Sequence, residues 1–196
     1  MRGRLIAFEG GEASGKSTQA ALLAEALGAV LTREPGGTAV GEQIRALLLD
    51  RLGPPLDPRA EVLLMAAARA QHVVEVLRPA LDAGREVVCD RYAHSSLAYQ
   101  GYGRGLPLDE VRRLSAWATG DLWPDVVVLL EVPDEVARAR MGTPDRFEAE
   151  DLHFHDRVRH GFRELAASDP ERWRVVDGSG TPEEVAARVR AAVADR

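Results

Sequence analysis

The apolar run Leu5–Phe8 leads into Gly10-Gly11-Glu12-Ala13-Ser14-Gly15-Lys16-Ser17-Thr18, and the amphipathic segment Gln19–Leu27 follows at once. A strand, a glycine-rich turn and a helix in immediate succession bring the backbone N–H groups of the turn and the helix N-terminus onto one point. That arrangement holds phosphate oxygens. The run fits G-x-x-x-x-G-K-[ST], in which Lys16 reaches the β- and γ-phosphates and Ser17 ligates Mg²⁺. Gly10–Thr18 are therefore expected to bind a nucleoside triphosphate. Composition sharpens the point: of 25 positive residues 24 are Arg, so Lys16 is the single lysine in 196 residues.

The chain also has no Asn and one Cys, Cys89. No intramolecular disulfide or cysteine-rich zinc site can form, which suits a reducing, cytoplasmic setting. The N-terminal apolar run is too short for a signal peptide, and no stretch approaches a membrane span. A net charge of −6 argues against sequence-independent nucleic-acid binding. The length favours one domain.

Apolar runs at Leu5–Phe8, Val30–Thr32, Glu86–Cys89, Val126–Val132 and Trp173–Val176 alternate with longer polar or amphipathic segments. Such alternation predicts an α/β fold, a parallel sheet of about five strands sandwiched by helices, with ligands at the carboxyl ends of the strands. Asp57-Pro58 predicts a helix start for a run to about Leu81, stopping at Asp82-Ala83-Gly84, and Thr181-Pro182-Glu183-Glu184 opens a last helix. Gly41–Asp50 reads as a helix carrying Arg45. Along the long helical run, Val62, Leu63, Ala66, Ala70, Val73, Val74 and Leu77 form a stripe expected in the core or at a dimer face. Gly101-Tyr102-Gly103-Arg104-Gly105 reads as a flexible loop, Cys89 as a small buried hydrophobe, and His153 and His155 as unsuited to a joint metal site.

The strand ends carry the chemistry. Thr32-Arg33-Glu34-Pro35-Gly36-Gly37-Thr38 follows the second strand and Asp90-Arg91-Tyr92-Ala93-His94-Ser95-Ser96-Leu97-Ala98-Tyr99-Gln100-Gly101 the third. Asp90 is placed to hold Mg²⁺ through water, and Arg91 to bridge two phosphoryl groups. Glu12 sets a carboxylate beside the phosphate cradle, where only a ligand group needing an acceptor would welcome it.

These motifs, with Gly41–Arg45, Leu63–His72 and Asp145-Arg146-Phe147-Glu148, resemble the bacterial thymidylate kinase family over nearly the whole chain. The resemblance implies a P-loop kinase three-layer sandwich with a mobile lid at about 138–150, transfer of phosphate from ATP to dTMP, and a homodimer. It implies that Arg45 and Arg91 hold the acceptor phosphate, that Arg69 meets a thymine carbonyl, and that Glu12 takes the sugar 3′-hydroxyl. Tyr99 would lie under the deoxyribose, Ser96 and Gln100 would face the base, and the bond before Pro35 would be cis. Met65 stands where the family has a stacking Phe. Ala13 is not basic, which resembles the branch whose catalytic arginine comes from the lid. Arg146 is the first choice for that role, with Arg138 and Arg140 out of the usual register.

A phosphate monoester is already a dianion at neutral pH, so its attack needs no general base. Guanine-specific switches use an Asn-Lys-x-Asp run, which this chain cannot supply. The remaining alternative is another nucleoside monophosphate or deoxynucleoside kinase of the same fold.

Overall fold

A computed structural model describes residues 1–194. In chain order the elements are β1 (Leu5–Glu9), α1 (Lys16–Leu27), β2 (Val30–Arg33), α2 (Ala39–Leu49), α3 (Pro58–His72), a π-helical turn Val73–Leu77 and α4 (Arg78–Asp82). Then come β3 (Val87–Asp90), α5 (Ala93–Ser96), a second π-helical segment Leu97–Gly103, α6 (Leu108–Thr119), β4 (Val126–Glu131), α7 (Asp134–Arg140), α8 (Leu152–Ser168), β5 (Trp173–Asp177) and α9 (Pro182–Ala194). The five strands form one all-parallel sheet in the order β2-β3-β1-β4-β5.

Both sides of the three central strands β3, β1 and β4 are buried, which is why these strands read as continuous apolar runs. Ile6, Phe8, Val128 and Leu130 face Leu23 of α1 and Val185 and Val189 of α9. On the other side Leu5, Ala7, Val87 and Cys89 meet Val73, Leu77 and Leu81, while Val127 and Leu129 meet Leu97, Phe154 and Phe162. Four strands end one residue beyond the apolar run, on Glu9, Arg33, Asp90 and Asp177. These polar residues still pair in the ladder, and they fall on the sheet edge where a ligand is expected.

The helix boundaries follow from local chemistry. Asp57 accepts the Arg59 N–H at 2.8 Å to open α3, and Thr181 and Glu184 cap each other's N–H groups at the start of α9. The run from Pro58 is helical to Asp82, interrupted only by the π-helical turn. Its apolar stripe divides: Val62, Ala66, Val73 and Leu77 are buried, whereas Leu63 and Val74 are exposed.

One expectation fails. Residues 101–105 are not a flexible loop, since Gly101 and Gly103 sit buried in the second π-helical segment. Their small size serves packing: a Cβ at Gly103 would stand 2.7 Å from Phe154 and 3.0 Å from Val158, and one at Gly101 would stand 2.4 Å from Leu108. Gly103→Ala is thus expected to lower stability by about 1–3 kcal/mol through overpacking against α8, read as a shift in the urea midpoint.

Candidate active site

The carboxyl ends of β1, β2 and β3, with α2, α3 and the segment after α7, enclose a cleft of about 860 Å³. The phosphate loop forms its floor. Gly10 and Gly15 have positive φ, 143° and 93°, and a Cβ on Gly10 would stand 2.5 Å from the Leu130 carbonyl. Only glycine permits both the turn and that approach. Lys16 Nζ donates to the Gly11 carbonyl at 2.5 Å and to Ser14 Oγ at 3.2 Å, curled back over its own loop. Burial, and then the nearby Arg91 cation, bring its ammonium down to about 8. Ser17 Oγ donates to Asp90 Oδ2, while the buried Asp90 Oδ1 has no partner among the described residues. A hydroxyl beside a carboxylate with a spare oxygen suits Mg²⁺, which takes one or two protein oxygens and completes its shell from water and phosphates.

Arg91 follows β3 with φ at 67°, a left-handed value uncommon for a residue with a side chain. That turn is held from below by Glu9. The Tyr92 and Ser95 N–H groups donate to Glu9 Oε1 at 3.0 and 3.2 Å, and the Ser95 hydroxyl donates to Oε2 at 2.6 Å. Above it, Arg91 Nη2 donates to both oxygens of Glu12 at 2.9 Å, and the Tyr99 hydroxyl donates to Glu12 as well. Burial alone would raise the Glu12 carboxyl, but Arg91, Lys16 and the Tyr99 hydroxyl outweigh it and hold the group below its ordinary range. The Arg91 guanidinium also lies 5.1 Å from the Tyr99 ring centroid. Arg91, Glu12 and Tyr99 thus form one unit beside the phosphate loop.

Deeper in, Arg69 is 2% exposed. Its Nε donates to Glu34 Oε2 at 2.6 Å and its Nη2 to Ser96 Oγ at 3.1 Å, which leaves Nη1 buried without a partner among the described residues. Glu34 is anchored in turn by His72 Nδ1 at 2.9 Å, and the Glu34-Pro35 bond is cis. Arg45 Nη1 donates to the Pro35 carbonyl at 2.8 Å; burial, then Arg33, lower its pKa. Gln100 lines the cleft with its Oε1 buried and unpartnered among the described residues. The apolar wall between these groups consists of Leu49, Met65 and Phe147.

Most residues singled out in the sequence therefore line one cavity: Glu12 to Thr18, Arg45, Met65, Arg69, Asp90, Arg91, Ser96, Tyr99 and Gln100 all do. Arg146 does not. Its Nε and Nη1 donate to the carbonyls of Asp50 and Pro54 at 3.0 and 2.9 Å, fastening the segment after α7 to the connection between α2 and α3. Arg140 lies instead at the phosphate loop, its Nη1 3.7 Å from the position a Cβ on Gly15 would take and 3.2 Å from the Gly178 carbonyl. Leu49 and Glu61 were not picked out by motif reasoning, and Glu34 and Phe147 stood inside quoted motifs without a role of their own. Phe147 carried one signal, its place in Asp145–Glu148, but nothing in the linear pattern shows an aromatic ring reaching the cleft that Met65 of α3 also lines.

A phosphate loop facing a second set of arginines across one cleft, on a parallel sheet in 2-3-1-4-5 order, is the arrangement of a P-loop kinase. The sequence model of the thymidylate kinase family matches residues 8–189. The chain belongs to the thymidylate kinase family. Thymidylate kinase of Synechococcus sp. (strain JA-3-3Ab) is 52% identical, with 97% of this chain and 95% of that relative aligned. The Thermomicrobium roseum thymidylate kinase is 51% identical over 97% of this chain and 94% of its own length. Among solved structures, thymidylate kinase from Ehrlichia chaffeensis superposes with a TM-score of 0.82 at 32% identity, covering 98% of this chain and all of that one.

Glu9 yields a pH prediction. Its carboxyl is pushed up to about 7, because burial outweighs the Ser95 hydrogen bond and the attraction of Arg91 and Lys16. The folded state therefore holds a proton between its ordinary value near 4.5 and about 7 that the unfolded chain has released, and native stability falls as pH rises through that window. Glu9→Gln keeps an oxygen for both N–H groups and an amide donor for Ser95 Oγ. Urea denaturation without nucleotide should show the variant gaining on the parent by on the order of 1–3 kcal/mol between pH 5 and 8.

Proposed function

We propose that this protein transfers the γ-phosphoryl group of ATP to dTMP, giving dTDP and ADP, with the site residues acting as follows. The single observation that carries the reading is a donor, Arg69 Nη1, and an acceptor, Gln100 Oε1, both buried, both without a partner among the described residues and both on side chains that line the cleft floored by the phosphate loop. A 2,4-dioxopyrimidine offers a carbonyl and an N3–H in adjacent positions, and that pair matches them. Membership of the thymidylate kinase family supports the same assignment.

The chemistry is a problem of charge. Two polyanions must meet in line, and their repulsion in a poorly solvated cleft is large unless cations surround them. Lys16 would uncurl from Gly11 to the β- and γ-phosphates, and Arg91 would bridge donor and acceptor phosphates. Mg²⁺, held at Ser17 and Asp90, would add charge neutralisation at the β- and γ-phosphates. Arg45 and Arg91 would hold the dTMP phosphate at the angle of attack. Glu12, oriented by Arg91 and Tyr99, would take the 3′-hydroxyl, and the Tyr99 ring would support the deoxyribose and disfavour a 2′-hydroxyl. Ser96 fixes Arg69 against the base, and Met65 with Phe147 would cover the ring's faces.

Residues 138–150 would act as a mobile lid within the single domain, excluding the water that otherwise competes as acceptor. Both lid arginines matter in this reading. Arg140 stands at the phosphate loop and Arg146 anchors the segment near the acceptor subsite, so closure would exchange its carbonyl partners for phosphate. The exposed Leu63, Val74 and Trp117, on and beside the packed helices α3 and α6, support a homodimer. No described helix is long and apolar enough to cross a membrane, and a reduced Cys89 fits a cytoplasmic enzyme.

A coupled ADP-release assay with Mg·ATP across nucleosides and nucleoside monophosphates is expected to give strong turnover with dTMP and little with thymidine or UMP; preference for an unphosphorylated nucleoside would reject the assignment. Arg140→Ala and Arg146→Ala should each lower kcat by about tenfold or more with little change in dTMP affinity, and whichever leaves kcat intact has no part in the lid chemistry. Amine acylation near pH 8 should modify Lys16 and the N-terminus alone, with ATP protecting Lys16.

A further inference from the structure

Glu61 lies on α3 behind the base subsite, 1% exposed, and the reaction chemistry leaves it without a task. Its Oε1 accepts from Gln100 Nε2 at 2.9 Å and from Arg104 Nε at 3.2 Å, and its Oε2 accepts from Arg104 Nη2 at 3.0 Å. Arg104 is itself held: its Nη1 pairs with Glu150 at 2.6 Å, and its guanidinium carbon stands 4.7 Å from the Phe154 ring centroid. The consequence concerns the polarity of Gln100. A primary amide presents an acceptor on one side and donors on the other, and the two orientations fill the same volume. A carboxylate accepts only, so it can be met by the NH₂ side alone, and the Oε1 of Gln100 is turned the other way. That oxygen is the buried atom with no partner among the described residues.

We infer that Glu61 is a specificity-determining positioning residue: by locking the Gln100 amide with its oxygen toward the cleft, it makes the subsite accept pyrimidines that carry a hydrogen on N3 and reject those with a lone pair there. The inference rests on the dTMP reading and deepens it. A pyrimidine with an N3 lone pair would face Gln100 Oε1 acceptor to acceptor, and turning the amide to meet it would drive the NH₂ side away from Glu61 and leave an acceptor oxygen against a carboxylate. Both arrangements bury an unpaired polar group, the kind of mismatch by which sites reject isosteres most strongly. Arg69 reinforces this selection at the neighbouring carbonyl but takes no part in holding Gln100, its own anchors being Glu34, Ser96 and the Tyr92 carbonyl.

The probe is the deoxyribonucleoside 5′-monophosphate of 5-methyl-2-pyrimidinone, which shares the sugar, phosphate and methyl group of dTMP, bears an N3 lone pair and has only hydrogen at C4; its loss of the C4 carbonyl and of the Arg69 contact is common to parent and variants, so the change in the ratio between them reads N3. kcat/KM is measured for dTMP and for the probe with the parent enzyme, Glu61→Gln and Glu61→Leu. Both variants free the amide to turn, and the expected result is a fall of about tenfold or more in the dTMP-to-probe ratio, with kcat/KM for the probe rising in absolute terms. Both substrates are assayed on one preparation, so a lower folded fraction cancels from the ratio and cannot raise the probe's value. A ratio unchanged within about twofold in both variants overturns the role of Glu61. A parent enzyme that does not phosphorylate dTMP overturns the function itself, and that outcome is read before either variant is made.

Discussion

The crowding of cations around one cleft is the constraint on which this structure depends. Arg91 is half-buried near the buried Lys16, and its charge helps to bring the lysine down to about 8. Without anions the two would repel each other in surroundings that screen charge less than bulk water does. Glu12 answers that repulsion for Arg91 through a paired contact, and Asp90 and Glu9 supply further negative charge to both cations. Under the proposed function, a triphosphate entering the cleft would find positive groups already positioned and would exchange these carboxylates' partners for its own oxygens. The cost of assembling the charges falls on folding instead of on the reaction.

The same device recurs twice more with another purpose. Glu34 binds Arg69 and His72, and Glu61 binds Arg104 and Gln100, each carboxylate almost fully buried. Buried ion pairs add little to stability, because desolvation offsets their attraction. Their effect here is geometric. In each case the side chain that lines the cleft is held from one side, leaving Nη1 of Arg69 and Oε1 of Gln100 without a partner among the described residues.

Packing around this polar interior explains two sequence oddities. The closely spaced glycines at 101 and 103 resemble a hinge on paper, but they let a π-helical segment lie against Leu108, Phe154 and Val158, bringing Tyr99 and Gln100 inward. Met65 leaves room where a ring would otherwise stand, and Phe147 reaches the same wall from the segment that follows α7. An aromatic contributed by a lid segment would couple base coverage to closure, which a residue on α3 cannot do.

The phosphate loop, the strand–helix alternation and the strand-end motifs were legible from the chain alone, because each depends on neighbours within about ten residues: a turn needs glycine, a buried strand needs an apolar run, a helix start needs a cap. Those local rules place Lys16, Ser17, Asp90 and Arg91 without coordinates. Glu61 and Glu34 were not legible, since a helical Glu near an apolar stripe and a Glu in a loop look solvent-facing until their arginines arrive from 43 and 35 residues away. The same holds for the arginines of residues 138–146, where the sequence put Arg146 first and Arg138 and Arg140 out of register, and only the tertiary structure sets Arg140 against the phosphate loop and Arg146 on the Asp50 and Pro54 carbonyls. Sequence determined which groups this protein has and where along each strand they must stand. Tertiary structure decided which way their free atoms face, because that is set by partners brought together across the sheet and by the exclusion of water around them.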